Sequence, residues 1–366
     1  MGREASDSLP DLFRFSSGQP VRGRSDWELR RRELRDLIVN LEYGGLPPVP
    51  AWTRWEELHS AACQSVPGAR FVSCRVMTGP QRPFSFLLYL LIPPGKGPFP
   101  VVLNGDGCWR CVTEEVAAEV LGRGCILAQF NRVEIVPDTP HGDRTSGLYR
   151  VYPEGTYGAL AAWAWGYHRC VDALSAMDCV DTGRIAVGGH SRGGKTTLLA
   201  GATDERIALT SANNSGAGGA GCYRCQGPDS ERLEDSLRVF PYWYGPQLKE
   251  FVHREKELPF DQHFLKALVA PRALLTTEAL GDHWANPTGT WQTHQAACEV
   301  YRFLQAEQRI GIYYRPGGHA HGLEDWRILM DFLDWQFAGR PRRHDFAANP
   351  FPELPRAFSW RAPTGS

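Results

Sequence analysis

Ser191, an acid at Glu278 or Asp282, and a histidine at His319 or His321 follow one another along the chain, in GGHSRGG, TEALGDHW and PGGHAHG. A serine hydroxyl becomes a useful nucleophile only when an imidazole takes its proton in the transition state. A carboxylate behind that imidazole fixes the tautomer and stabilises the imidazolium. These three residue types therefore point to acyl transfer through a covalent intermediate. Gly189-His190-Ser191-Arg192-Gly193 fits G-x-S-x-G, the sharp strand-to-helix turn that exposes such a serine. From the same Gly189 the chain also satisfies G-x-x-x-x-G-K-[ST], a phosphate-cradling loop in which Lys195 would meet a nucleotide.

The elements around the motif separate the two chemistries. A phosphate loop usually opens its domain and is followed by a strand ending in Asp, which holds magnesium. Here the next apolar run, IALTSANN, ends in asparagines. The hydrolase alternative requires the acid and the histidine at the ends of later strands, and that is where they stand. The eight strand-like runs are RFVSCRVM, FSFLLYLLIP, FPVVLNG, GCILAQF, RIAVGG, IALTSA, RALLTTEA and GIYYRPG. Helical periodicity fills the gaps from the third run onward, as in TEEVAAEVLGRG and GTWQTHQAACEVYRFLQAEQ. An antiparallel start, then alternating strand and helix, predicts an α/β-hydrolase fold: a mostly parallel eight-stranded sheet covered on both faces. One domain is expected over residues 1–366, with an N-terminal helix at 26–44, an insertion at about 214–268 after the sixth strand, and a surface tail at 340–366.

In that frame His319 is preferred to His321, since it lies closer to the strand end and follows the paired glycines. The oxyanion would be held by the backbone N–H of Arg192 and by a donor from the NGDG loop at 104–107, at Gly107. Trp163, Trp165 and Tyr167 recur at helical spacing and read as core. The aromatics of FPYWYGP, 240–246, could stack on a substrate or pack the insertion, and the charged loop at 130–149 could line the pocket.

Three blocks, agreeing in order and spacing, carry a resemblance. GHSRGGK, the downstream SGAGGAG and the upstream helix ALAAWAWGYHRCVDAL resemble the glucuronoyl esterases, a family of carbohydrate esterases. The resemblance implies that Ser191 is the nucleophile, that the Arg192 side chain adds charge at the oxyanion, and that His319 is the base. It also implies that Lys195 and Trp284 contact the sugar. Many members place the catalytic Glu immediately before SGAGG, where this chain has Asn214. An asparagine can orient an imidazole but cannot neutralise its cation, so the acid is expected after the seventh strand. Asp282, in the turn, is preferred there to Glu278, in the strand.

The implied activity is hydrolysis of a carbohydrate ester, foremost a glucuronate ester of the lignin–carbohydrate type, without a cofactor. Acetyl or other acyl esters of xylan are the alternative. A silent sugar-binding relative and a nucleotide hydrolase are the remaining ones. With 40 Lys+Arg against 41 Asp+Glu and no basic patch, nucleic acid is not an expected partner. No run has the length of a membrane span, and no apolar leader opens the chain, so a cytoplasmic or processed secreted form is expected. The match of Gly2–Ser6 to a myristoylation pattern reads as chance, since no second anchor follows. Two CxxC pairs, Cys108/Cys111 and Cys222/Cys225, lack the short separation of a zinc site, and no metal is expected.

Overall fold

A computed structural model describes residues 9–109, 112–139 and 144–363. Gly2–Ser6 and Cys111 lie outside the described residues. Among the described residues nine strands form a single sheet: β1 (Trp52–Ala62), β2 (Arg70–Gly79), β3 (Phe84–Ile92), β4 (Phe99–Asn104), β5 (Ile126–Phe130), β6 (Val180–His190), β7 (Leu209–Asn213), β8 (Ala273–Ala279) and β9 (Ile310–Arg315). Their spatial order is β1-β2-β3-β5-β4-β6-β7-β8-β9. The first three pair antiparallel, as does β3 with β5, and every later pair is parallel.

The sequence predicts eight strands, and the ninth, β1, is the correction. WTRWEELHSAA has no buried residue along its length, because β1 is the sheet's edge and pairs only with β2. An edge strand tolerates charge where a central one does not, so its apolar run is broken.

The helices are α1 (Arg24–Tyr43), α2 (Glu114–Gly122), α3 (Gly147–Val151), α4 (Ala159–Ser175), α5 (Arg192–Thr203), α6 (Leu233–Val239), α7 (His263–Val269), α8 (Pro287–Phe303) and α9 (Leu323–Ala338). Strand residues alternate between the faces, as a side-chain period of two requires. Val101 and Leu103 join a core with α1, α4, α5, α7 and α8, while Val102 faces α2 and α9 on the other side. Gly44, in the left-handed region at φ 72°, ends α1 and returns its N–H to the Val39 carbonyl. Trp163, Trp165 and Tyr167 on α4 are core residues.

The interruption between β7 and β8 holds α6, several single turns and α7. Since α7 packs against α5 and α8 as a crossover helix, the irregular part ends near 262, earlier than the expected 268. The described tail beyond Gly339 has no helix or strand. It is fastened by Ile312 N–H to Phe346 O and by Leu9 N–H to Ala357 O.

Candidate active site

β6 delivers Ser191 into the turn before α5 with φ 56° and ψ −123°, a conformation that L-residues rarely adopt. The turn closes because its flanks are bare. A Cβ on Gly189 would run into the Gly193 backbone, and one on Gly193 would overlap the Asp106 carboxylate. Ser191 N–H is held by Asn213 O at 2.9 Å, and Ser191 O accepts Lys195 N–H at 3.0 Å as α5 begins. Arg192 is the first residue of α5, so its backbone N–H has no intrahelical acceptor and lies at the positive end of the helix dipole.

Beneath the turn, Asp106 accepts His190 N–H at 2.9 Å and pairs with the fully buried Arg132. Burial pushes the Asp106 carboxyl above its ordinary range, and Arg132 opposes that push. The loop after β4 is braced from α4, where Tyr167 Oη accepts Gly105 N–H at 2.6 Å. Gly107 opens the short turn Gly107–Trp109 that follows.

Asp282, in the turn after β8, lies 2.6 Å through Oδ2 from Nδ1 of His319 in the loop after β9. The same oxygen accepts Asn214 Nδ2 at 2.7 Å. Burial alone would raise the Asp282 carboxyl. The bond and charge of His319, the Asn214 amide and Ala285 N–H outweigh it and hold the pKa below the usual range. The His319 ring centroid is 4.5 Å from that of His190, which precedes the serine, so the dyad stands beside the elbow.

His321 is placed differently. It is sandwiched between His190 and Trp326, with centroids at 5.3 and 5.4 Å, and burial lowers its pKa to about 3. A neutral imidazole held between two rings in this way is packing. Arg315, at the end of β9, fastens the His319 loop through the carbonyls of Pro316, Gly318 and Ala320 and is itself held by Asp325 at 2.7 Å.

Glu278 is fully buried and takes Thr290 Oγ1 at 3.2 Å, while Lys266 lies near enough to counter the burial that pushes its carboxyl up to about 8. It thus engages α8 and α7 rather than the imidazole. Lys195 is 3% exposed, with Nζ on the Ala217 carbonyl and 2.9 Å from Glu231 Oε2, so its charge is neutralised in place. Glu231 N–H in turn donates to the carbonyl of Trp284, whose side chain is half exposed. Glu231 is a partner of Lys195 that the sequence hides, since it sits in the charged stretch DSERLED, which reads as a solvated surface.

A family model described as "Glucuronyl esterase, fungi" matches residues 77–305, more than half of the chain. The chain belongs to the glucuronoyl esterase family. It is 32% identical over 332 residues to a Podospora anserina protein named 4-O-methyl-glucuronoyl methylesterase, an alignment covering 88% of this chain and 65% of the relative, so it spans less than two thirds of that protein. Among solved structures it is similar to a carbohydrate esterase family 15 glucuronoyl esterase from Caldicellulosiruptor kristjansonii, with a TM-score of 0.84, 30% identity and 98% of each chain covered. A promiscuous family 15 esterase from a marine bacterial metagenome gives 0.78 at 27% identity, over 90% of this chain and 97% of that one.

Asn214, the residue before SGAGG, thus has a side chain that serves the Asp282 carboxylate. Asn214 sits at φ 42°, a conformation that glycine adopts freely. Asn214→Gly therefore removes the amide without adding strain. It is expected to lower kcat by about tenfold, the worth of one hydrogen bond to a charged group, with KM little changed. Steady-state kinetics on an activated ester checks it.

The Cys222/Cys225 pair is local: Cys225 N–H meets Cys222 Sγ at 3.1 Å, and that thiol lies 3.3 Å from Asp261. Among the described residues no group of three or more His, Cys, Asp or Glu is placed to hold a metal, and no helix is long and apolar enough to cross a membrane.

Proposed function

We propose that the chain is a serine esterase that cleaves the ester of a glucuronate unit with an alcohol, through Ser191, His319 and Asp282. The observation that carries this is the 2.6 Å Asp282–His319 contact beside a serine held at φ 56°. Ser191 Oγ attacks the ester carbonyl while His319 takes its proton. The tetrahedral oxyanion forms at the N-terminus of α5, against the Arg192 backbone N–H, with the guanidinium of Arg192 adding charge. Collapse breaks the bond to the alcohol oxygen, which leaves with the proton from His319. Water, deprotonated by the same imidazole, then hydrolyses the acyl-enzyme.

Asp282 stays ionised and stabilises the imidazolium in both steps. Support for the uronate comes from the family and from relatives named for that ester, together with the paired Lys195 and Glu231 and the half-exposed Trp284 near the elbow. A second reading, hydrolysis of acetyl or other acyl esters on the same triad, is favoured by the likeness to an esterase described as promiscuous.

The test is a side-by-side measurement of kcat/KM on benzyl glucuronate and of acetate release from acetylated xylan. Preference for the uronate by more than about tenfold, 1.4 kcal/mol of transition-state discrimination, is the expected result. The reverse order would replace the first reading with the second.

A further inference from the structure

We propose that Asp138 is a positioning residue that sets the guanidinium of Arg192 and couples it to the aromatic segment 240–243 of the insertion. The proposal rests on the reading above, in which Arg192 serves the oxyanion.

Asp138 belongs to the long loop after β5, and its side chain is 9% exposed. Its Oδ1 accepts Arg192 Nη1 at 3.1 Å, the Tyr242 hydroxyl at 2.7 Å and Trp243 Nε1 at 3.2 Å. Its Oδ2 accepts Arg192 Nη1 at 3.0 Å and lies 3.6 Å from Arg132 Nη2. One carboxylate thus gathers donors from α5, from its own loop and from the insertion.

The aromatics complete the grip. Phe240 and Trp243 stack on each other at 3.9 Å with planes 4° apart, and the Arg192 guanidinium carbon is 4.7 Å from both ring centroids. This segment therefore packs on the arginine, not as a free platform for sugar rings. An arginine left to solvent would spend rotamer entropy each time it met a developing oxyanion; one already fixed spends none. The clamp uses Nη1 alone.

Burial by itself would raise the Asp138 carboxyl. Arg192, the Tyr242 hydroxyl, Arg132 and the Trp243 N–H more than offset that, so it is ionised at neutral pH. Arg132 does not depend on this contact, because it also pairs with Asp106.

Asp138→Asn keeps the shape and removes the charge. It is expected to lower kcat by about 10- to 100-fold, short of losing an oxyanion donor outright, with KM changing less than about threefold. Tyr242→Phe, which removes one hydroxyl, is expected to lower kcat by about two- to fivefold with the same split. Both losses should shrink to less than about twofold in an Arg192→Ala background, since a residue acting through the arginine has nothing left to position. Equal losses in the two backgrounds, or unchanged kcat in both variants, would overturn the proposal. Should Asp138→Asn fail to fold by circular dichroism, the Tyr242→Phe cycle decides alone. Activity surviving in Ser191→Ala would instead remove the reading beneath it; an inactive Ser191→Ala with wild-type Asp138→Asn and Tyr242→Phe removes the positioning role only.

Discussion

Ser191→Ala is expected to lower kcat on benzyl glucuronate by about a million-fold, the scale at which a triad loses its nucleophile, with no measurable change in thermal unfolding. The two halves of that expectation have separate grounds. Activity falls because no other hydroxyl or thiol can take the place that the turn gives residue 191, at φ 56° with the positive end of α5 behind it. Stability holds because alanine carries the same Cβ as serine, and thus the same backbone penalty, and because the turn is fixed by groups that the substitution leaves alone. Those are the Asn213 carbonyl on Ser191 N–H, the Asp106 carboxylate on His190 N–H, and the bare Gly189 and Gly193. A fluorophosphonate should add its mass to the wild-type protein and not to the variant. Failure of the wild type to label would favour a silent sugar-binding relative. Residual turnover near wild type in the variant would place the chemistry elsewhere.

What could be read from the sequence follows from which constraints act locally. An elbow has to be short, glycine-flanked and set between strand and helix, so Gly189–Gly193 announces itself in a few residues. An acid and a histidine for such a serine must stand at later strand ends, and apolar runs mark those ends; that is where the sequence offered Asp282 and His319, which the fold brings within 2.6 Å. β1 was not, because an edge strand with no buried residue carries no period-two apolar signal.

The Arg192 clamp was hidden for another cause. Asp138 meets Arg192 across 54 residues and Tyr242 across 104, joining two irregular segments that have no periodicity to align them. Both segments drew attention in the sequence, one for its charges and one for its aromatics, yet nothing in either says that they meet. Lys195 shows the same limit. Its place on α5 was legible, but that Glu231 holds its ammonium depends on how the segment after β7 folds back.

Asp282→Asn is expected to lower kcat by about ten-thousand-fold, the cost of the corresponding exchange in a serine protease triad, whereas Glu278→Gln should keep kcat within about threefold. The large effect comes from hydrogen-bond direction as well as charge. Oδ2 of Asp282 receives both His319 Nδ1 and Asn214 Nδ2, and Ala285 N–H also favours the charged carboxylate. An amide must turn its NH2 toward one of these donors. Turned toward His319, it forces the proton to the other ring nitrogen, which can then no longer accept from serine. Turned away, it meets the Ala285 N–H and still offers no charge to the imidazolium. Glu278 answers to different neighbours. Burial pushes its carboxyl up to about 8, so near pH 7 it is mostly protonated, and glutamine reproduces both its shape and its neutrality beside Thr290. Its exchange should change stability by less than about 1 kcal/mol at pH 4, where the wild-type carboxyl is protonated in both the folded and the unfolded chain. Because the folded-state value lies above the ordinary 4.5, the proton on Glu278 contributes stability that is full below pH 4.5 and lost as pH rises through about 8. Glu278→Gln should therefore gain on the wild type in thermal unfolding as pH rises over that interval, with no companion change in kcat. If the acid of the triad were Glu278, the two kinetic effects would exchange places.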